Sequence, residues 1–448
     1  MAFDYDLFVI GAGPGGLAAA KGAASYGVRV AVAEQENIGG TCVNRGCIPK
    51  KLIVYAGDFA KDNQMAHYYG WSECQRYFDW TLFMKSVHQH LEHINHSYYQ
   101  QLQTAGVELI RERAIFVDAH TLDVNGRKVT ADKILIAVGC LPAKPKIPGI
   151  EYAITSREMF HLPYLPKRLV IIGGGYIGTE FSSVMHAFGC EVTAIEKDAM
   201  ILSGFDDDIR SGVQQGLSKR GIRFFTNSTV REITLSDDGL LLTTTGEFQE
   251  TIATDTILIA TGYTPNTKNL GLEKAKVELD KQGAIAVDAY NRTTQENIFA
   301  VGDCINRVQL TPVAKAEGIA FAHRVFGNKP QQIEYDYIPS AVFSRPEAAG
   351  VGMTEAKARE KFGESVKSYC HHFRPLLYQL TEDNEQATIK LVVNNDSQQV
   401  VGAHMVGEHA ADIIQSLGVA IRQGITKQKL DETIGIHPTI AEEFLSLD

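Results

Sequence analysis

Residues 5–34 read YDLFVIGAGPGGLAAAKGAASYGVRVAVAE, and residues 168–196 read RLVIIGGGYIGTEFSSVMHAFGCEVTAIE. Each stretch opens on an apolar, β-rich run and passes through a glycine turn. It then continues as a helical stretch and closes on a second apolar run, so a β-α-β unit occurs twice. In both copies the first glycine stands 23 residues before a glutamate: Gly11 before Glu34, and Gly173 before Glu196. One further strand is duplicated, DKILIAVG at 132–139 and DTILIATG at 255–262, which closes each unit with a strand and a tight glycine turn. The repeat predicts two α/β domains, with the second inserted into the sequence of the first.

Outward from the repeat, residues 36–130 are mostly helical and His-rich, with a Trp-containing loop, and complete the first domain. The texture changes around 334–340. From there short strands (AVF, IKLVV, VGAHMV) alternate with helical stretches (TEAKAREKF, AADIIQSLGVAIRQG), the pattern of a separate α+β domain.

The 448 residues are 44% apolar and 21% charged, a composition that excludes disorder and fibres. The net charge of -10, from 43 basic and 53 acidic residues, does not favour nucleic acid or anionic membranes as partners. No run of 18 apolar residues exists, so no membrane-spanning helix is expected. Asp4 and Asp6 stand where a secretory leader would carry basic residues. Seven cysteines, an odd number, make no disulfide scaffold and fit a reducing, cytoplasmic location.

Gly11, Gly13 and Gly16 form one G-x-G-x-x-G motif, and Gly173, Gly175 and Gly178 another. In such a motif the first glycine makes the strand-to-helix turn, the second lets backbone approach a pyrophosphate, and the third lets helix and strand pack closely. The pyrophosphate then rests on free N–H groups at the helix start. Glu34 and Glu196 are placed to accept hydrogen bonds from an adenosine ribose. One motif alone is weak, because glycines mark ordinary turns; two copies in strand-turn-helix context point to FAD and a diffusible nicotinamide nucleotide. The fold class expected is therefore α/β, with two Rossmann-like, three-layer dinucleotide-binding domains and the C-terminal α+β domain.

Between the two motifs lies GGTCVNRGCIPKKL, residues 39–52. On a regular helix Cys42 and Cys47 are too far apart and misdirected for a disulfide, so a bridge requires a distorted helix start, which Gly39, Gly40 and Gly46 permit. A cysteine at a helix N-terminus also has a depressed thiol pKa. The alternatives are two buried structural cysteines or half of a zinc site, but no second pair with ligand spacing exists. The pair is read as redox-active. Cys74, Cys140, Cys190, Cys304 and Cys370 are scattered and read as small packed apolar residues. His88, His90, His93 and His96 in VHQHLEHINH are read as a solvated helix face, with no metal site.

GGTCVNRGCIPKK, both glycine motifs, ILIATGYTPNT, NIFAVGDC and the terminal HPTIAEEF occur in order over essentially the whole chain. This resembles the pyridine nucleotide–disulfide oxidoreductases and, within them, the glutathione reductase branch most closely. Lys50–Lys51 fits that branch where lipoamide dehydrogenases usually have Ser-Lys, and mercuric reductases or large thioredoxin reductases would carry cysteines beyond Cys370. The resemblance implies domains at 1–145 (FAD-binding, first part), 146–263 (NAD(P)-binding), 264–334 (FAD-binding and central, second part) and 335–448 (dimerisation).

It also implies roles. Cys47 is the thiol against the flavin, and Cys42 the interchange thiol that attacks the substrate disulfide. His437, oriented by Glu442, is the acid/base and comes from the second subunit of an obligate homodimer. Lys50 pairs with Glu180 near the flavin, and Tyr176 gates the nicotinamide pocket. Gly40, Thr41, Asp303, Thr311 and Pro312 lie along FAD. Tyr98 matches a family tyrosine between the two halves of the substrate. At two positions where the branch carries substrate-binding arginines this chain has Lys21 and Ile319. Where NADPH enzymes carry arginines it has Lys197 and Ser203, and Gly178 where they often have alanine. Glu196 accepts from the 2′-OH of NADH and repels a 2′-phosphate, so NADH is expected over NADPH.

The function implied is FAD-dependent reduction of glutathione disulfide, or a closely related small disulfide, by NAD(P)H. One rival is a dihydrolipoamide dehydrogenase-like enzyme running the other way, and another is a non-catalytic sensor of the nicotinamide poise. Lys50 argues against the first, and intact Cys42, Cys47 and His437 argue against the second.

Overall fold

The computed structural model describes residues 3–72 and 77–447 of the chain, which divides into two compact units. One unit comprises Met1–Lys50, Thr81–Ala143 and Gly262–Glu334. Its main sheet runs Glu108–Ile110, Val30–Ala33, Tyr5–Ile10, Arg127–Ile136, Thr121–Val124, Ala114–Phe116, and Ile298–Ala300 also pairs with Arg127–Ile136. Tyr5–Ile10 is parallel to both neighbours, with Leu7 opposite Val30 and Lys133. The strand at 132–139 thus closes the first β-α-β unit, as the duplicated sequence suggested.

Side chains alternate across this sheet because the strand period is two. Leu7 and Val9 face a core built with Leu17 and Ala20 of helix Pro14–Ala24 and Phe321 of helix Thr311–Val325. Phe8 and Ile10 face the other way, against Phe116, Leu122 and Ile285. With both faces covered, the strand is a continuous apolar run from Leu7 to Ile10 rather than alternating, as parallel sheets are. Each fully buried Leu, Val or Phe there contributes about 1.5–3 kcal/mol.

The other unit comprises Lys51–Trp80, Lys144–Thr261 and Tyr335–Asp448. Its parallel sheet runs Arg223–Phe225, Glu191–Ile195, Arg168–Ile172, Thr256–Ile259, Ile154–Thr155. An antiparallel meander, Ser228–Ser236, Gly239–Gly246 and Thr251–Thr254, follows in the chain and shares its core. The C-terminal part is an antiparallel sheet in the order Ser340–Val342, Ala348–Gly352, Gln399–Val406, Ala387–Asn394, Val366–Phe373. Helix Ala410–Arg422 packs Ile414 and Ile421 on Val351, Leu391 and Met405, and Phe444 returns to the same core. The fold class is the one expected. The sequence reading missed two strands of the last sheet, Ala348–Gly352 and Val366–Phe373, because AAGVG holds few β-branched residues and VKSYCHHF is largely polar. Among the described residues no helix is long and apolar enough to cross a membrane.

Candidate active site

The two glycine turns have the same geometry. Gly11 and Gly173 sit at φ of 105° and 108°, and a Cβ on Gly16 or Gly178 would come within 2.0 or 1.9 Å of the Gly11 or Gly173 carbonyl oxygen. A Cβ on Gly13 or Gly175 would meet nothing within 4 Å. The third glycine is thus required for packing, and the second leaves the backbone open. Gly13 and Gly175 cap helices Pro14–Ala24 and Tyr176–Ala187 with no side-chain acceptor, and the first N–H groups of a helix, which have no acceptor within it, suit an anion.

The paired glutamates are placed alike too. Glu34 accepts from the Ala12 and Glu36 amides, both at 2.8 Å. Glu196 accepts from Gly174 at 2.5 Å and Asp198 at 3.0 Å. Each carboxylate therefore braces its own glycine turn. An open cradle, a helix N-terminus without a side-chain cap and an acidic residue at the end of the following strand fit the adenosine diphosphate part of FAD in the first unit and of a nicotinamide nucleotide in the second. On the first, Asp303 lies on the turn Gly302–Cys304, accepts from the Cys140 thiol at 3.2 Å, and has its pKa raised by burial.

The cysteine segment forms two helices instead of one. Gly40–Arg45 ends at Gly46, with φ -155° and ψ -117°, and Cys47–Met65 begins at once. A Cβ on Gly46 would stand 2.9 Å from the Thr41 oxygen, so the break depends on glycine. Gly40 and Thr41 open the first helix, and Cys42 lies within it. The break brings Cys42 and Cys47 within hydrogen-bonding reach as free thiols. A hydrogen bond from Cys42, against the opposing effect of burial, holds the Cys47 thiol down to about 6, with help from the Thr311 hydroxyl at 3.6 Å and the Lys50 charge. The shared proton and burial push Cys42 far up. At neutral pH Cys47 is the thiolate and Cys42 holds the proton.

Lys21 and Tyr98 come together: the Lys21 ammonium lies 5.8 Å from the Tyr98 ring centre and donates to Gln101 at 2.7 Å. Ile319 is half-buried on helix Thr311–Val325.

In the second unit Tyr176 opens its helix and is exposed, while Glu180 is buried and accepts from the Phe343 amide at 2.8 Å. Lys197 is 74% exposed, with Asp198 at 3.8 Å, and Ser203 is exposed. The Arg210 guanidinium is committed to the Met200 and Ile201 carbonyls and to Asp207. His437 is 83% exposed, and its Nδ1 lies 3.1 Å from Glu442 Oε1, which also accepts from the Thr439 amide. Glu442 thus grips one ring nitrogen of an exposed imidazole, in a segment where Ile434 and Ile436 are exposed as well.

Two supporting residues escaped the sequence reading. Buried Asn44 donates to the Ile38 and Gly40 carbonyls and accepts from Asn95, fixing the turn that leads into Cys42. Glu317, fully buried, accepts from the Gly302 amide at 2.7 Å and ties the Asp303 turn to the helix that carries Thr311. A polar residue inside an apolar helical run was the available signal for Glu317; Asn44 had none beyond its place in the cysteine segment.

One reading needs correction. Cys190 and Cys304 are buried as expected, but Cys370 is exposed on strand Val366–Phe373 and Cys140 is a half-buried hydrogen-bond donor. A strand at the edge of its sheet shows residues to solvent that a composition argument counts as core. Cys74 lies outside the described residues. His90, His93 and His96 are exposed and His88 half-buried on helix Trp80–Thr104.

Residues 5–318 match the family model described as pyridine nucleotide-disulphide oxidoreductase, and residues 338–447 match its dimerisation domain. The chain is 48% identical to a glutathione reductase of Nostoc sp., covering 100% of both chains. It is 43% identical to a glutathione reductase of Burkholderia cepacia, over 99% of this chain and 98% of that one. To the chloroplastic/mitochondrial glutathione reductase of Pisum sativum it is 41% identical, over 99% of this chain and 82% of the other. The duplicated glycine turns, the broken cysteine helix and these full-length matches agree: the chain belongs to the pyridine nucleotide-disulphide oxidoreductase family.

Proposed function

We propose that this protein reduces glutathione disulfide with a nicotinamide nucleotide, through FAD and the Cys42–Cys47 pair. Family membership implies FAD and a pyridine nucleotide, and the proteins named glutathione reductase that match it end to end support the substrate. The observation that carries the reading is the helix break at Gly46, which makes neighbours of the free Cys42 and Cys47 thiols and leaves the Cys47 sulfur 3.6 Å from the Thr311 hydroxyl. FAD supplies the two-electron link between the nicotinamide and the cysteines.

The chemistry of the chain's own residues then balances. Cys42 loses its proton and its sulfur attacks one sulfur of glutathione disulfide, forming a mixed disulfide and releasing one glutathione thiolate. His437 of the partner subunit takes the proton from Cys42 and gives it to that leaving thiolate, since an imidazole exchanges protons near neutrality. The Cys47 thiolate next attacks Cys42 Sγ, closing the disulfide and releasing the second glutathione. Two electrons and one proton from the reduced nicotinamide would restore the Cys42 thiol and the Cys47 thiolate, and one proton from solvent neutralises the second glutathione thiolate. The exposed imidazole held by Glu442, next to exposed Ile434 and Ile436, supports a homodimer in which a second copy covers this end.

The finer reading is a preference for NADH. In support, Glu196 is a buried carboxylate at the end of the strand after the second glycine turn, Ser203 is uncharged, and Arg210 is spent on backbone carbonyls. Lys197 is the remaining exposed cation on the loop after Glu196, and a single exposed ion pair is worth about 0.2–1 kcal/mol.

The test is steady-state turnover of the flavin-loaded enzyme with glutathione disulfide, dihydrolipoamide and a panel of small disulfides, using each nicotinamide. Highest kcat/KM with glutathione disulfide is expected. A clear preference for lipoyl substrates would overturn the reading.

A further inference from the structure

Helix Thr311–Val325 places Thr311, Lys315 and Ile319 along one stripe, because residues four apart share a helix face. Thr311 ends 3.6 Å from the Cys47 sulfur. Lys315 therefore starts one turn, about 5.4 Å, further along from the redox thiols. It is exposed, and Ile319, the next residue of the stripe, is apolar.

Helix Pro14–Ala24 runs close beside it. A Cβ on Gly15 would lie 3.1 Å from the Ala314 oxygen, and one on Gly318 would lie 2.2 Å from the Gly15 oxygen. So near an approach brings the Lys21 and Lys315 ammonium groups within range of each other, and they repel. Lys21 is held in place by the neutral Gln101 side chain and the Tyr98 ring. Among the described residues, what acts on Lys21 is burial and Lys315, with no carboxylate to balance them. A lysine one helical turn beyond the residue that touches the Cys47 sulfur, with a second lysine in its electrostatic range held by neutral groups, is matched by a ligand that brings negative charge with it.

Glutathione disulfide is such a ligand, with carboxylates at both the glycyl and the glutamyl ends of each half. We propose that Lys315 receives one of these carboxylates and, with Lys21, forms a two-lysine clamp that sets specificity for an anionic disulfide. The proposal rests on the function inferred above. Lysine contributes a point charge on a flexible stem where arginine would offer a rigid fork, so the clamp attracts carboxylates without demanding one geometry. Binding is then strongly salt-dependent.

The experiment is steady-state kinetics of the flavin-loaded, full-length enzyme with glutathione disulfide and with the same disulfide esterified at its carboxylates. Lys315→Gln should raise KM for glutathione disulfide about tenfold, as for loss of a charge-assisted hydrogen bond, with kcat within about twofold. Lys315→Arg should restore KM, and Lys315→Gln should flatten its dependence on salt. For the ester, wild type and Lys315→Gln should have the same KM. Equal KM values for wild type and Lys315→Gln on glutathione disulfide, or an equal loss on the ester, would overturn the clamp while leaving the function intact. A wild type that turns over other disulfides but not glutathione disulfide would overturn both.

Discussion

The Cys47 sulfur lies 3.6 Å from the Thr311 hydroxyl, a contact between residues 264 apart in the chain. With the Cys42 hydrogen bond and Lys50, that hydroxyl holds the Cys47 thiol at about 6. Alkylation of the dithiol enzyme, mapped to Cys47 by mass spectrometry, should therefore show a half-rise near pH 6. Thr311→Val keeps the shape and removes the hydroxyl. It should move the half-rise toward the ordinary thiol range and cut the rate at pH 6 about threefold or more. An unmoved profile would show that Thr311 does not stabilise the thiolate.

His437→Ala and Cys42→Ser should each reduce turnover of glutathione disulfide by several orders of magnitude. Mixed dimers of the two, made by dissociating and reassociating the subunits, should recover part of the activity. One of their two sites then has both an intact cysteine pair and an intact histidine. If light scattering or tagged pull-down demonstrates mixed dimers and activity stays absent, the histidine does not act across the interface.

Glu196 braces the second glycine turn through Gly174, and the proposed NADH preference rests on its carboxylate repelling a 2′-phosphate. Wild type should favour NADH over NADPH in kcat/KM by about tenfold, and Glu196→Ala/Ser203→Arg should reverse the order. The double substitution also removes the brace, so its thermal midpoint should fall by a few degrees. A wild type that prefers NADPH would mean that Lys197 outweighs Glu196.

Lys390, 3% exposed, is bound by Asp206 at 2.8 Å, Asp208 at 2.5 Å and Glu355 at 2.8 Å, joining helix Asp207–Lys219 to the C-terminal sheet. Burial by itself would raise the Glu355 pKa, but hydrogen bonds from Lys390, Arg359 and Ser368 outweigh it and hold the group at about 2. A carboxylate held below its unfolded value stabilises the fold above that value, near 4.5, and the contribution is lost as pH falls from there toward 2. Lys390→Met should lower stability near pH 7 by about 3–5 kcal/mol, because it strands buried Asp206. It should also flatten the fall in the urea midpoint between pH 4.5 and 2. An unchanged acid slope would place the acid sensitivity elsewhere.

The amino-acid order carries the duplicated β-α-β plan, the glycine turns with their glutamates, and the cysteine pair, because local periodicity and turn chemistry dictate each of these within some thirty residues. It did not determine how Cys42 and Cys47 divide one proton. That depends on a helix break at Gly46 and on Thr311, brought from the far end of the unit by packing of glycine against glycine between two helices. Nor did it mark Lys315, an ordinary surface lysine by its neighbours, or Asn44, and the polar interruption at Glu317 did not name its partner, Gly302. Their charge and hydrogen-bonding capacity are written in the chain. Which group each one meets is decided by tertiary contacts, since electrostatic effects depend on distance and burial, and both are set when the helices close on the sheet.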